Sequence, residues 1–479
     1  MRRVRSIGTA AGICAAALAS AFACGSEETV RAGAGGAAAA PFVDEASATG
    51  LKIALIGVDG ATFDVLEPLV EAGALPEFER LLEIGAHAPL RSLESTVSPA
   101  VWTTIATGQL PAQHGIDDFN VPVGEAGRMQ LVSTGHRKRL ALWNMAGPFG
   151  RSVGVIGWWV TWPAEPVRGF VVSDRVAHSR HQSWADGKQY THLTYPPELY
   201  DELHALVIDP DHPPLDEMLE IAPLRPSEIE EMRSVKRPVL FHWLSVFQSG
   251  YSEQRSYEKI AFELLKRRQP DLFLLLLIAN DPISHTFWHF YEPDAFPGGV
   301  DPERAARLGA VIPNVYRHND RTLARLRERL DPDTVLFVVS DHGFGASGRL
   351  PQPSAWVGFK AGERSRVARP LNVGQSGSHR RDGVLIAAGG PIRPGAVPGT
   401  TPTVLDIAPT LLALLGLPVA RDMPGRVLEE LIDPAFLAAH PIRRIDSYET
   451  RIDIEPIVDA AEATGEPRLE YLRALGYIE

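Results

Sequence analysis

From Leu51 onward, uninterrupted apolar runs of strand length alternate with stretches of helical period. The clearest runs are KIALIGV (Lys52 to Val58), SVGVIGWW (Ser152 to Trp159), DLFLLLLIA (Asp271 to Ala279), TVLFVVS (Thr334 to Ser340) and GVLIAAGG (Gly383 to Gly390). Strands apolar at successive positions are buried on both faces, and their separation by helices predicts a mostly parallel sheet with helices on either side. The stretch from about Ala177 to Ser256 breaks this rhythm with Tyr195-Pro196-Pro197, Pro210, Pro213-Pro214 and many charges. It predicts a largely helical insertion over one end of the sheet, with no strong strand of its own. Further on, DIAPTLLALLGLP (Asp406 to Pro418) predicts an apolar helix with Pro409 near its start, Gly416 as its stop and Pro418 just beyond.

Before Leu51 the pattern changes. Arg2, Arg3 and Arg5 precede an uncharged run from Ile7 to Ala23, too short and alanine-rich for a spanning helix but suited to an export signal. The run ends in AFACGS, Ala21 to Ser26, which resembles a bacterial lipoprotein box. This predicts lipidation at Cys24 and an exported, membrane-anchored protein facing the periplasm or the cell exterior, with ordinary cleavage and secretion as the alternative. The expected layout is a signal over residues 1–24, a flexible tether over 25–50, a catalytic domain over 51–435 and a C-terminal extension over 436–479.

Composition narrows the chemistry. The chain has 479 residues and a formal charge of -12 spread without a basic stripe, which excludes a nucleic-acid surface built on phosphate neutralisation. It does not exclude a phosphorylated small substrate, because bound cations invert local charge. The two cysteines, Cys14 and Cys24, both fall in the signal region, so the mature domain has no disulfide and no thiol chemistry. A metal site must therefore be made of histidine and carboxylate, and a nucleophile must be a hydroxyl, a carboxylate or an activated water.

Three of the predicted strands lead into an aspartate: Val58 into Asp59, Asn280 into Asp281 and Ser340 into Asp341. Ligands of open parallel sheets bind at the carboxyl ends of the strands, so these acids are expected on one edge. His285 stands four residues beyond Asp281, His342 directly follows Asp341, and His379 sits in the glycine-rich GQSGSHRRDG before the last strand. Three aspartates and three histidines suffice for two divalent ions, a pair suited to in-line displacement at phosphorus. Taken singly, Asp59 reads as a turn cap and His285 as a satisfied core histidine; His289, among Phe287, Trp288, Phe290 and Tyr291, reads as packing.

The segment STVSPAVWTTIATGQLPAQHGI, Ser95 to Ile116, predicts a helix with Ser98 as its N-cap, Pro99 at the first position and Gly108 as its stop. A helix N-terminus offers free N–H groups to an anion, so Ser98 is also placed to act as a nucleophile toward a bound phosphate.

With VDG at Asp59, SPAVWTTIATGQLPAQHGI, DPISH, SDHGF, GSH and DIAPTLLALLGLP, the chain resembles the alkaline phosphatase superfamily, specifically its type I phosphodiesterase/nucleotide pyrophosphatase family, from about Lys52 to Leu428. The resemblance implies a three-layer α/β/α sandwich with two metal ions, most simply zinc, with manganese as the alternative. One ion would be held by Asp281, His285 and His379, the other by Asp59, Asp341 and His342, with Ser98 as nucleophile. The family follows its HGI motif with a phosphate-binding asparagine; counting without gaps reaches Phe119, and Asn120 is one residue later. The sulfatase motif is not matched at Ser98, and no arginine follows it as in the phosphomonoesterase branch.

The implied function is a phosphoric ester hydrolase of phosphodiesterase type, acting on a small-molecule or head-group phosphoester through a phosphoseryl intermediate. Alternatives are a phosphomonoesterase, a head-group phosphotransferase at the membrane surface and a non-catalytic binding protein. A monoesterase would need a further cation at the phosphoryl oxygens, for which Arg380 or Arg381 beside His379 are candidates. Trp143, Trp158, Trp159 and Trp162 read as core aromatics, with stacking on a base or sugar as the alternative.

Overall fold

The computed structural model describes residues 30–32, 42–47, 49–123, 128–179, 191–234, 242–358 and 364–454. The signal segment with Cys14 and Cys24, most of the tether and the last part of the C-terminal extension lie outside the described residues.

An eight-stranded sheet forms the centre. Its strands, with the small hairpin that adjoins it, are β1 (Ile53–Val58), β2 (Gly85–Arg91), β3 (Val153–Ile156), β4 (Gly169–Val172), β5 (Thr194–Tyr195), β6 (Leu272–Leu277), β7 (Val335–Val339), hairpin strands β8 (Gly343–Ala346) and β9 (Gly377–Arg380), and β10 (Asp382–Ala388). The order across the sheet is β2-β10-β7-β1-β6-β3-β4-β5. β7, β1, β6, β3 and β4 are parallel neighbours in turn, while β10 runs antiparallel to β7.

The runs apolar at successive positions are buried on both faces, as their pattern requires. Ile53 and Leu55 of β1 join one core with Val101, Trp102 and Leu411, whereas Ala54, Ile56 and Val58 join a second with Ile260, Phe287 and Leu323. Helices Ser98–Thr107 and Ile407–Leu414 cover the first face. Trp243–Leu265, Asn280–Tyr291 and Val311–Arg327 cover the second, completing the α/β/α sandwich.

Each expected strand is present, but GVLIAAGG is antiparallel, because the hairpin of β8 and β9 turns the chain back before it enters the sheet. That reversal brings His379 to the edge where β1, β6 and β7 end. Three strands lacked a sequence signal. β2 carries Pro89, tolerated because β2 lies at the sheet edge, and β4 and β5 are short. The segment 177–256 is mainly helical where described, yet it supplies the edge strand β5, and its last helix belongs to the layer that packs on the sheet. The end of the tether is docked: Phe42 N donates to Pro148 O at 3.0 Å and Ser47 N to Gly416 O at 2.8 Å. Tyr448, in the C-terminal extension, is buried and donates to Pro418 O at 2.6 Å.

Candidate active site

At the carboxyl edge, β7, β1 and β6 lie side by side with Val339 opposite Gly57 and Gly57 opposite Leu276. The residues that follow therefore converge: Asp59, Asp281 and Asp341 are all buried, as are His285 and His342. The turn after β1 depends on Gly60, whose φ of 69° is left-handed and whose missing side chain would meet Phe344 at 2.9 Å. Its N–H donates to Asp341 Oδ1 at 3.2 Å, and Ala61 N donates to Ser340 Oγ at 2.8 Å, so the β1 and β7 turns are stitched together.

All three histidines are oriented the same way. His285 Nδ1 donates to Gly377 O, His342 Nδ1 to Gly343 O and His379 Nδ1 to Thr96 O, each at 3.1 Å. That tautomer leaves every Nε2 as a lone pair aimed into the site. His379 Nε2 lies 2.9 Å from His285 Nε2 and 3.1 Å from Asp281 Oδ1, and Asp281 Oδ1 lies 3.5 Å from His285 Nε2. His342 Nε2 is 3.4 Å from Asp341 Oδ2, 3.6 Å from Asp59 Oδ1 and 3.7 Å from Asp281 Oδ1.

Two ligand groups result, Asp281 with His285 and His379, and Asp59 with Asp281 and His342, the donor atoms in each lying within 4.8 Å of one another. The first is the trio that the family resemblance implies. In the second, Asp281 stands where Asp341 was expected, with Asp341 Oδ2 close by at 3.4 Å from His342. Asp281 Oδ2, Asp341 Oδ2 and His342 Nε2 are buried without a hydrogen-bond partner. Buried unpaired carboxylate oxygens beside converging imidazole lone pairs suit divalent cations bound by nitrogen and oxygen donors.

The electrostatics carry the same strain. Burial, with Asp341 and Asp281 nearby, pushes Asp59 well above the usual carboxylate range, and burial beside Asp281 pushes Asp341 up to about 7. Burial works the same way on Asp281, but His285, His379 and His342 outweigh it and hold that carboxyl below its ordinary value. Burial lowers His285 to about 4, and burial with His379 nearby holds His342 well below the usual imidazole range. His379 is raised: burial opposes its charge, but the Asp281 carboxylate facing Nε2 prevails and favours a proton there in the absence of a cation.

Ser98 corrects the sequence reading. Val97, with φ -74° and ψ 115°, is the N-cap, and Ser98 is the first residue of its helix. The Ser98 hydroxyl makes no capping bond; it donates to Asp59 Oδ1 at 3.5 Å. One turn on, Trp102 Nε1 donates to the other oxygen, Asp59 Oδ2, at 3.0 Å. Trp102 was not among the sequence candidates; its i,i+4 spacing from Ser98 was the available signal. Thr96 and Asn280 were also missed, the latter donating from Nδ2 to Asp59 O at 3.2 Å.

The other candidates belong to neither ligand group. Asn120 opens the strand Asn120–Val123, its Oδ1 buried without a partner, while Phe119 packs edge-on against Trp159 at 5.4 Å. His114 of the HGI motif is fully buried, its Nδ1 accepting from Ile116 N at 3.1 Å and its Nε2 donating to Thr104 Oγ1 at 3.0 Å. His289 bonds Ser376 Oγ at 3.0 Å and joins neither ligand group. Trp143, Trp158, Trp159 and Trp162 are buried in the cores. Arg380 donates to Ser378 Oγ and Ala346 O, and Arg381 to Ser92 O.

Residues 53–394 match the type I phosphodiesterase / nucleotide pyrophosphatase family. The chain belongs to that family. As in that family, the fold is alkaline phosphatase-like. Members of this family bind two metal ions, matching the two ligand groups. A curated relative, GPI ethanolamine phosphate transferase 2 of Kluyveromyces lactis, is 25% identical over 161 residues, which make up 31% of this chain and 18% of that protein. Among solved structures, human ectonucleotide pyrophosphatase / phosphodiesterase 5 is 14% identical, with 80% of this chain and 99% of that one covered and a TM-score of 0.43. Phosphonoacetate hydrolase from Sinorhizobium meliloti 1021 is 16% identical, with 62% and 58% covered and a TM-score of 0.34.

Proposed function

We propose that the chain is a metal-dependent phosphoric ester hydrolase that prefers phosphodiesters and works through a covalent intermediate on Ser98. The observation that carries this reading is the buried convergence of Asp59, Asp281, His285, Asp341, His342 and His379, with Ser98 Oγ 3.5 Å from Asp59 Oδ1. Two divalent ions, zinc or alternatively manganese, held by Asp281, His285 and His379 and by Asp59, Asp341 and His342, would neutralise phosphate oxygens and lower the pKa of the serine hydroxyl.

Ser98 Oγ attacks phosphorus in line with the leaving oxygen, that P–O bond breaks, and a phosphoseryl ester remains. Water then attacks the same phosphorus and Ser98 departs; two in-line displacements give net retention. Asp59 orients the hydroxyl from one side, Trp102 fixes Asp59 from the other, and the attacking geometry is set before substrate arrives. The amide of Asn120 is assigned to a non-bridging phosphate oxygen.

The diester preference rests on charge. A monoester dianion calls for an extra cation at its oxygens. Arg380 and Arg381 are drawn back onto Ser378, Ala346 and Ser92, and Arg380 follows His379 in a strand, where successive side chains point to opposite faces. The match to an ethanolamine phosphate transferase favours a second reading, in which an alcohol rather than water takes the phosphoryl group. Export and lipid anchoring at Cys24 are proposed from the N-terminal sequence alone.

A panel of aryl phosphodiesters, matched monoesters, phosphonates and sulfate esters, with metal content measured on the same sample and an alcohol acceptor present or absent, tests the proposal. The diester is expected to exceed its monoester in kcat/KM by at least about tenfold. A monoester preference of similar size would overturn the diester assignment, and alcohol capture exceeding hydrolysis would favour transfer.

A further inference from the structure

Beside the carboxylate–histidine cluster lies a pocket of about 190 Å³ walled by Trp243, His289, Phe290, Asp301, Arg304 and Gly374. Two segments tie it to the active site. His289 is four residues past His285 on the helix Asn280–Tyr291, on the same face and about 6 Å along the axis. Gly374 closes the pocket just before Ser376, which bonds both His289 Nδ1 and His285 O, and Gly377, whose carbonyl orients His285.

Arg304 is the unusual group. Its guanidinium carbon lies 4.9 Å from the Trp243 ring centre and 5.0 Å from that of Phe290, and its Nε is buried without a hydrogen-bond partner. Burial pulls its pKa below the ordinary arginine value. Its neighbour Arg307 takes both oxygens of Glu228 at 2.8 Å, whereas Arg304 has no ion pair among the described residues. Asp301 is on the rim, with one oxygen engaged as helix cap by the backbone N–H of Arg304 at 2.9 Å. Glu228, Asp301 and Glu231 are near enough to favour the charge of Arg304, but none pairs with it among the described residues, so a guanidinium held over two aromatic rings keeps donors for a planar anion. Its single positive charge matches a carboxylate better than a phosphate dianion.

Resting on the phosphodiesterase reading, we propose that this pocket receives a carboxylate carried on the leaving arm of the ester. An in-line displacement by Ser98 points the leaving oxygen away from that residue, toward the side of Asp281, His285 and His379, and the pocket lies one helical turn beyond. A leaving group with its acid a few bonds from the ester oxygen spans that distance. Arg304 would act as a specificity-determining residue, binding the arm without touching phosphorus.

The test compares two isosteric diesters, methyl para-carboxymethylphenyl phosphate and its neutral carboxamide. In wild type the carboxylate ester is expected to have the higher kcat/KM by about tenfold, mostly through KM, equivalent to ~1.4 kcal/mol. Arg304→Met should bring the ratio close to one, chiefly by raising KM for the carboxylate ester, with a circular dichroism spectrum and metal content like wild type showing that the variant is folded. Arg304→Lys should retain part of the preference. Equal rates for the two esters in wild type, or a preference surviving in Arg304→Met, would overturn the pocket assignment alone. Turnover of neither ester would overturn the phosphodiesterase reading and this inference with it.

Discussion

Trp102 Nε1 donates to Asp59 Oδ2 at 3.0 Å, while Ser98, one turn earlier on the same helix, donates to Asp59 Oδ1. One helix face thus holds both oxygens of a carboxylate that is a candidate metal ligand. The tryptophan fits because Gly57 lacks a side chain: a Cβ there would come within 2.6 Å of the indole. Trp158 Nε1 in turn donates to Trp102 O at 3.2 Å, its ring edge-on to Trp102 at 4.9 Å.

Replacing Trp102 by Phe keeps an aromatic in that slot but removes the N–H. Outer-shell donors of this kind are worth about 10- to 100-fold in metal affinity. Trp102→Phe is therefore expected to bind zinc more weakly by that factor in a chelator competition, with the metal-free protein still folded. Undiminished zinc affinity would show that the indole only fills space.

Ser98 does not cap its helix, so Ser98→Ala removes one buried hydroxyl contact and is expected to cost about 1 kcal/mol or less in stability. Metal content should match wild type, while kcat falls by at least about three orders of magnitude. A variant retaining most of its turnover would remove Ser98 from the mechanism.

His114 gives an acid-sensitivity prediction. Burial, with Arg137 nearby, lowers its pKa from 6.5 to about 3. Between those values the unfolded chain binds a proton that the folded chain does not, so stability falls as pH drops through the window, by up to ~1.4 kcal/mol per pH unit from this group. His114→Asn is expected to be less stable near neutrality, because Thr104 and Ile116 lose their shared partner, yet to have a shallower decline in urea-unfolding free energy from pH 6 to pH 4. Parallel declines would mean that His114 does not titrate as buried.

Much of this site is written in the chain because its ligands follow strands. Asp59, Asp281 and Asp341 each come soon after a run apolar at successive positions, and parallel pairing leaves them no choice but to share an edge. His379 was legible as a ligand only by motif. Its arrival depends on the β8–β9 hairpin and on β10 running backwards, and no local pattern encodes strand direction. Trp102 was hidden because an indole serves as core and as donor with the same residue type. Ser98 was misplaced by one position because Pro99 fits either of the first helical positions, and the hydroxyl's partner lies 39 residues away at Asp59. The pocket around Arg304 draws on residues from 243 to 374, a separation that sequence reading does not bridge.

The stereochemical course at phosphorus tests the covalent account most directly. A diester made chiral at phosphorus with sulfur and an oxygen isotope, hydrolysed by the metal-loaded enzyme, reports the number of in-line displacements. Attack by Ser98 followed by attack of water predicts net retention. Net inversion would mean a single displacement by water, and would contradict a nucleophilic Ser98.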